Sequence, residues 1–309
     1  MKVTLLGTGT PTNPHRFQSA VLVEIGNDKL LFDAGRGAVH QMYQAGIQIR
    51  HVNPVFITHH HFDHINDLFD VIISTAMAGR EETLHVYGPA ETQRIVSALL
   101  NEVYAQDIRF RLEEDKAMRK AGGSWGERPE AIADVNVTEV ESGLVAQSDN
   151  WKVFTERIVH GDFAHVPDFD WRCLGYRIEA EGRVVTISGD TVKCEGLLKL
   201  ARGADLLIQA CHIPKRLAGT AEMKFLTNSI LPSSGEVGSI AAEARVKRMV
   251  LTHLSASING NNAAEIEADV RADFDGDLQL GHDLMEIAIL PNWAISTRLS
   301  RHFNSDHNY

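Results

Sequence analysis

Four histidines and one aspartate lie within six consecutive positions of this chain, directly after a short apolar run. The run is Pro54–Ile57, and the cluster reads His59-His60-His61-Phe62-Asp63-His64. Alternate side chains of extended backbone point to the same side, so one loop can offer two imidazoles to one cation and a carboxylate with an imidazole to a second. Donors of these types without a thiolate suit zinc, manganese or iron, and favour a catalytic site over a structural one. A surface histidine patch is the alternative, but such a patch does not follow a buried strand.

Further donors are predicted at the ends of other strands, because a four-donor loop cannot close two metal sites. Each of three ionisable residues follows an apolar run: His160 after Val153–Val159, Asp190 after Val184–Ile187 and His253 after Met249–Leu251. His165 is a competitor for the third histidine position. We favour His160 because it lies directly at the strand end.

Strand and helix patterns alternate along most of the chain. Val3–Leu6 ends at a glycine-rich turn, and Ser19–Ile25 with Lys29–Phe32 predicts a hairpin around Gly26-Asn27-Asp28. Later apolar runs alternate with segments of helical period. This order predicts an α/β fold in which two sheets pack face to face with helices outside.

The whole chain, residues 1–309, is predicted to be a single domain, and its 44% hydrophobic content is ample for one large core. Residues 105–134 are polar with weak periodicity, which favours an insertion or lid over a linker. The segment Pro214–Ser234 is expected to be a loop that forms pocket walls together with residues 105–134. The tail from about residue 292 is polar and is predicted to fray.

Composition bounds the partners and the location. The formal net charge of −11 disfavours polyanions on average, so a nucleic-acid substrate is predicted to be unlikely. The three cysteines, Cys173, Cys194 and Cys211, lack CxxC spacing and are expected to be reduced and buried. No apolar run approaches the roughly 20 residues that span a bilayer, and Met1–Gly7 reads as a strand, not a signal peptide. A cytoplasmic location without a membrane partner is therefore expected.

Several blocks of the sequence resemble the metallo-β-lactamase superfamily, and within it the ribonuclease Z and arylsulfatase-like branch. The similar blocks are Leu5-Leu6-Gly7-Thr8-Gly9-Thr10-Pro11, the HxHxDH cluster at His59–His64, Leu174-Gly175-Tyr176-Arg177-Ile178, Ser188-Gly189-Asp190-Thr191 and Leu251-Thr252-His253. They span nearly the whole chain. The resemblance implies a four-layer αββα sandwich with metals at one edge between the two sheets.

The resemblance also implies a role for each matched residue. One zinc would be bound by His59, His61 and His160, and the other by Asp63, His64 and His253. Asp190 would bridge the two zinc ions, for which Mn²⁺ or Fe²⁺ are substitutes. His60 occupies the variable place in the motif and is not expected to bind metal. Asp33 would support the metal loop.

Two such metals would share a hydroxide, since bound zinc lowers the pKa of water to about 7. We therefore expect a dinuclear hydrolase that acts on a small-molecule ester, lactone, sulfate ester or similar bond, with Asp63 and Asp190 as catalytic residues. His212 is the candidate acid, although a structural role is equally compatible with its position.

Other functions are weighed against this one. A ribonuclease Z-like endonuclease that processes tRNA 3′ ends is the main alternative. Net charge disfavours it, as does Cys211-His212 where such enzymes have a His-Glu pair. A hydrolytic dehalogenase of a chlorinated aromatic, an iron-dependent redox member and a non-catalytic binding module are further alternatives. A homodimer is left open.

Overall fold

The computed structural model describes residues 1–123, 129–161 and 171–290. The strands of these residues, numbered along the chain, are β1 (Lys2–Gly7), β2 (Ala20–Ile25), β3 (Asp28–Phe32), β4 (Val52–Phe56), β5 (Leu84–Gly88), β6 (Val135–Glu139), β7 (Gly143–Gln147), β8 (Trp151–Ile158), β9 (Cys173–Ala180), β10 (Arg183–Ile187), β11 (Leu206–Ala210), β12 (Arg248–Thr252), β13 (Asp277–Leu280) and β14 (Met285–Ala288). The predicted hairpin is β2–β3, and its strands pair in register from Val21–Phe32 to Ile25–Asp28.

The α-helices of the same residues are α1 (Ala38–Gln44), α2 (Phe62–Ile65), α3 (Leu68–Met77), α4 (Thr92–Ala98), α5 (Ala105–Lys120), α6 (Glu195–Ala201), α7 (Ala221–Ser229), α8 (Ser234–Glu243) and α9 (Ala263–Arg271). A π-helical turn, Leu99–Val103, continues α4. No helix among the described residues is both long and apolar enough to cross a lipid bilayer.

The strands form two seven-stranded sheets that are built alike. Their orders are β14-β1-β2-β3-β4-β5-β6 and β13-β12-β11-β10-β9-β8-β7. In each sheet, an antiparallel group joins a parallel group at a shared strand, which is β3 in the first sheet and β10 in the second. The parallel strands end at one edge of each sheet, so the loops that follow them collect there.

Three apolar layers hold the sheets and helices together. Neighbouring residues of one strand enter different layers: Leu5 packs between the sheets, whereas Leu6 packs toward α1 and α3. In the second sheet, Ile208 faces the first sheet and Leu207 faces α6 and α8. Strands covered on both faces read as continuous apolar runs, as these do. The predicted four-layer αββα sandwich is confirmed.

Two predicted loop regions contain helices. Residues 105–120 form α5, whose exposed face carries ion pairs such as Lys116–Glu113 at 2.6 Å and whose Ile108 enters the outer core. Pairs at this spacing stabilise a helix that has little apolar periodicity. The lid role of 105–134 stays a prediction. The segment Pro214–Ser234, expected to be a loop, contains α7, which the Thr220 side chain caps. The tail from 292 lies outside the described residues.

Candidate metal centre

Seven histidine and aspartate side chains from four segments of the chain meet at the edge between the two sheets. Their donor atoms form two groups, within each of which all donors lie within 4.8 Å of one another. The open cluster consists of His59, His61, His160 and Asp190, and the buried cluster of Asp63, His64 and His253. These are the seven residues that the sequence predicted as ligands. His61 is the one exposed member of the set.

In the open cluster, three imidazoles point lone pairs at one place. His160 Nδ1 donates to the carbonyl of Ile230 at 2.7 Å, which leaves Nε2 facing the cluster. The Nε2 atoms of His59 and His160 lie 3.0 and 3.1 Å from Nδ1 of His61. A single hydrogen on His61 cannot satisfy both contacts well, whereas a shared cation can.

In the buried cluster, Asp33 orients His64. Its carboxylate accepts from His64 Nδ1 at 2.7 Å, and also from the backbone N–H and hydroxyl of Thr58 at 2.8 and 2.9 Å. His64 Nε2 is then turned into the site, where it is buried without a hydrogen-bond partner. A buried imidazole nitrogen without a hydrogen-bond partner, beside two carboxylates, is the arrangement expected of a metal ligand.

Asp190 lies between the clusters. Its Oδ2 is 3.2 Å from His253 Nε2, 3.5 Å from His64 Nε2 and 3.9 Å from His160 Nε2. The preceding Gly189 has φ +62°, and a Cβ there would lie 2.8 Å from the carbonyl oxygen of Leu174. Glycine is therefore required for β10 to deliver the aspartate into the site.

Two further site residues have left-handed backbone. Asp33 has φ 59° and His253 has φ 53°, each directly after its strand. Aspartate and histidine tolerate this conformation better than most residues, but it still costs about 1–3 kcal/mol. Both side chains are turned inward, so that His253 Nε2 lies 3.1 Å from Asp63 Oδ2.

Burial and neighbouring charges favour the metal-binding forms of these donors. Burial lowers the pKa of His59 well below its usual range and that of His61 to about 4, so both rings are neutral at pH 7. Burial alone would raise the pKa of Asp190, but His253 and His64 outweigh burial and hold that pKa well below its usual range. Divalent cations bind neutral imidazoles and ionised carboxylates.

The charges around His64 also fit a bound cation. Burial alone would lower its pKa, but Asp190 and Asp33 overcome burial and raise the pKa of His64 well above its usual range. The protonated ring would neutralise carboxylates that are 2.7 and 3.5 Å away. A divalent cation would neutralise them better, so the residues present fit a metal.

The remaining predicted residues lie in three places. His60 points away from both clusters and donates from Nε2 to Thr92 Oγ1 at 2.8 Å, because the Thr92 hydroxyl donates to Pro89. His165 lies outside the described residues. His212 is half-buried beside the site, with its ring centroid 6.4 Å from that of His253. Burial and then His253 lower its pKa to about 4.

Two residues that contact the predicted metal ligands were not predicted from the sequence patterns. The Thr58 hydroxyl lies 3.0 Å from His59 Nδ1 while donating to Asp33. The Trp171 ring packs against His61 at a centroid distance of 4.8 Å. Thr58 was recognisable as the residue between strand and motif. Trp171 had no signal, since it lies eleven residues after His160.

Comparison with known proteins places these features in a family. The profile of the family described as "Anti-Pycsar protein Apyc1" matches residues 1–233. Ribonuclease Z of Mycolicibacterium paratuberculosis is 30% identical over 295 residues, which cover 94% of this chain and 98% of that protein. The Bacillus subtilis metallo-β-lactamase fold protein YhfI has a TM-score of 0.68 at 17% identity, covering 93% of this chain and 98% of its own. The short form of human tRNase Z has a TM-score of 0.65 at 21% identity, with 94% and 100% covered.

These relatives correct two predictions. The expected small-molecule hydrolase, and the expectation that nucleic acid is an unlikely partner, are wrong, because the curated relatives are named ribonuclease Z. Both rested on the net charge of −11, which averages over the whole surface, and the small-molecule prediction rested also on Cys211-His212 in place of a His-Glu pair. Binding depends on local potential instead. Exposed Arg36 and Lys215 follow Asp33 and His212 by three residues each, and neither forms an ion pair among the described residues.

Proposed function

This chain belongs to the Apyc1 family and to the ribonuclease Z branch of the metallo-β-lactamase-fold hydrolases, and we propose that it is a zinc-dependent endonuclease that removes 3′ extensions from precursor tRNA. The observation that carries the proposal is the end-to-end similarity to proteins named ribonuclease Z. The site supports it, because a seven-donor edge with one open side suits a phosphodiester that approaches from solvent. A cytoplasmic location belongs to the same proposal.

Two zinc ions would be held by the residues of the two clusters. His59, His61 and His160 would hold one, the three residues of the buried cluster would hold the other, and Asp190 would contact both. When bound, zinc supplies Lewis-acid chemistry, since it activates water near neutral pH and stabilises negative charge on phosphoryl oxygens. The contribution of the chain is a largely buried frame of ligands.

Asp63 and Asp190 are the proposed catalytic carboxylates. An oxygen of Asp63 lies 3.1 Å from His253 Nε2, and an oxygen of Asp190 lies 3.2 Å from the same nitrogen. The two negative charges therefore lie close together beside His253. Both remain ionised at neutral pH, since His253 lowers the pKa of each against the effect of burial. Ionised carboxylates there would hold the attacking water in line with the scissile phosphorus.

His212 is proposed to assist departure of the 3′ oxygen. Its pKa of about 4 makes the ring neutral at pH 7. The ring would therefore donate a hydrogen bond to the departing 3′ oxygen without placing a positive charge beside it. Its backbone N–H donates to the carbonyl of Pro232 at 2.8 Å, which fixes the residue at the end of β11. The ring replaces the His-Glu pair that the ribonuclease Z branch would place in this neighbourhood.

Arg36 and Lys215 are proposed to contact the RNA backbone. The loop of Arg36 is anchored to the metal loop, because the N–H of Ala34 donates to the carbonyl of His64 at 2.7 Å. Lys215 follows the His212 loop, and its backbone N–H donates to Ser234 at 2.9 Å. Phosphate contacts supply much of the affinity for nucleic acid and position it without reading sequence.

The deciding test is cleavage of a 3′-extended precursor tRNA by zinc-loaded protein at physiological salt. We expect endonucleolytic removal of the extension at on the order of 1 per second or faster, and reversible loss of cleavage on chelation. Mature tRNA of the same sequence is the control. Hydrolysis of cyclic mononucleotides with no cleavage of the precursor would overturn the proposed substrate while leaving the metal centre intact.

A further inference from the structure

Trp171 touches the open cluster by two independent contacts. Its indole N–H donates to the main-chain carbonyl of His160 at 2.8 Å. Its ring packs on His61 at a centroid distance of 4.8 Å and meets His59 edge-on at 5.9 Å. One side chain therefore reaches all three histidines of that cluster.

The hydrogen bond matters because His160 lies where three elements meet. The N–H of Val159 donates to the Thr191 side chain at 3.1 Å, and the N–H of Gly161 donates to the carbonyl of Ser229 at 2.9 Å. With its ring bound to the carbonyl of Ile230, His160 is tied to α7 and to the Asp190 loop. Trp171, which lies just before β9, adds a further tie and restrains the backbone on the C-terminal side of His160.

The ring contact matters because His61 is the exposed ligand. Its side chain emerges from a loop and, within the part of the chain that the structure describes, forms hydrogen-bond contacts only with the two neighbouring histidines. An indole against this ring restricts its rotation and displaces water from one side. Both effects strengthen a metal site, since less side-chain entropy is lost on binding and the local dielectric constant is lower.

We propose that Trp171 is a positioning residue for the open metal cluster, which sets the zinc affinity of His59, His61 and His160 without binding the ion. This inference rests on the proposed zinc sites. It assigns Trp171 no contact with substrate. The buried cluster, which Asp33 orients, should not depend on Trp171.

The test is a zinc titration of the full chain against a chromophoric chelator, resolved into two binding steps. Trp171→Phe keeps a ring but removes the N–H, and we expect one step to weaken by about 3–10-fold, as loss of one neutral hydrogen bond implies. Trp171→Ala removes both contacts, and the same step should weaken by about 10–100-fold. The other step should keep its wild-type affinity.

Trp151→Phe is the matched control. Its indole N–H donates to Asp28 at 2.8 Å, at the other end of β8, so this variant loses a comparable bond far from the metals. Co²⁺ provides a second readout: it should quench a tryptophan emission component that Trp171→Phe lacks and Trp151→Phe retains. Should Trp171→Ala fail to fold, Trp171→Phe decides the question.

Two results would overturn the inference. Wild-type affinity in both steps for Trp171→Phe and Trp171→Ala would show that Trp171 does not act on the metal. Equal weakening of both steps, with a lower melting temperature than Trp151→Phe shows, would indicate general destabilisation. A wild-type chain that binds no zinc would instead refute the proposed metal centre, so the two failures are distinguishable.

Discussion

The open and buried clusters orient their histidines with different partners. In the buried cluster, His64 donates to the carboxylate of Asp33, whereas in the open cluster His160 donates to the main-chain carbonyl of Ile230. A carboxylate partner makes an imidazole a stronger electron donor than a neutral carbonyl does. We therefore expect the buried cluster to hold its cation more tightly.

The two clusters also differ in solvent exposure, and this difference again favours tighter cation binding in the buried cluster. The members of the buried cluster have at most 3% of their surface exposed, whereas His61 is open to solvent. Substrate must then arrive on the His61 side. The comparison teaches that one half of the centre is built for retention of an ion and the other for access.

The largest effect is expected where the two clusters meet. Asp190→Ala removes the oxygen that faces both, and should lower turnover by on the order of 1,000-fold or more while zinc content falls in both sites. Asp275→Ala, an exposed carboxylate away from the site, is the control. Metal analysis with precursor cleavage would check this. Full zinc content in Asp190→Ala would mean that the clusters are independent.

A smaller effect, confined to the zinc affinity of the buried cluster, is expected for a variant of Asp33. Asp33→Asn keeps a hydrogen-bonding side chain but removes its charge, and should weaken zinc binding at the buried cluster by about 10–100-fold. The open cluster should change little. Chelator competition on the wild type and the variant measures both steps. His60→Ala, adjacent to two ligands but bonded to Thr92, should keep both affinities; loss of zinc there would contradict the placement of His60.

A variant of His212 tests the side of the metal centre that faces the substrate. His212→Ala should lower kcat by about 100-fold with unchanged zinc content, because it removes a donor and not a ligand. Since its pKa is about 4 and a nearby cation would lower it further, the wild-type profile above pH 5 should contain no ionisation of His212. A lower melting temperature with unchanged kcat would establish a purely structural role.

The smallest expected effect concerns the binding of precursor tRNA on the solvent-exposed side of the metal centre. Arg36→Ala and Lys215→Ala should each reduce the salt dependence of precursor binding, by about 1 in the slope of log K against log salt, with kcat and zinc content unchanged. Lys116→Ala, whose ammonium already pairs with Glu113, is the control. Binding measured from low to physiological salt tests this. Unchanged slopes would place the RNA on another face.

Local sequence was sufficient for much of the fold and the site. The HxHxDH motif is contiguous, so its donors could be identified in the sequence, although Phe62–Ile65 forms α2 and not the extended backbone that the spacing argument assumed. His160, Asp190 and His253 were recognisable because each follows an apolar strand. The hairpin of β2 and β3 was likewise local. By contrast, α5 and α7 were missed, because ion pairs and a capping threonine define them more than apolar period does.

The choice of substrate class was the main error, and its cause is physical. Net charge is a sum over a sequence, whereas RNA binding depends on where cations lie in the fold. The strand-end positions and the resemblance both predicted that the donors converge, and the two sheets place those strand ends together.

What the sequence by itself determined is the chemistry available: which donors exist, that they follow strands, and that apolar runs cover both faces of two sheets. Only the tertiary structure decided how those donors are oriented. Asp33 is 31 residues from His64, Ile230 is 70 residues from His160, and Trp171 reaches the open cluster from the segment just before β9. Such contacts arise when strands distant in sequence end at the same edge, and no local pattern encodes that proximity.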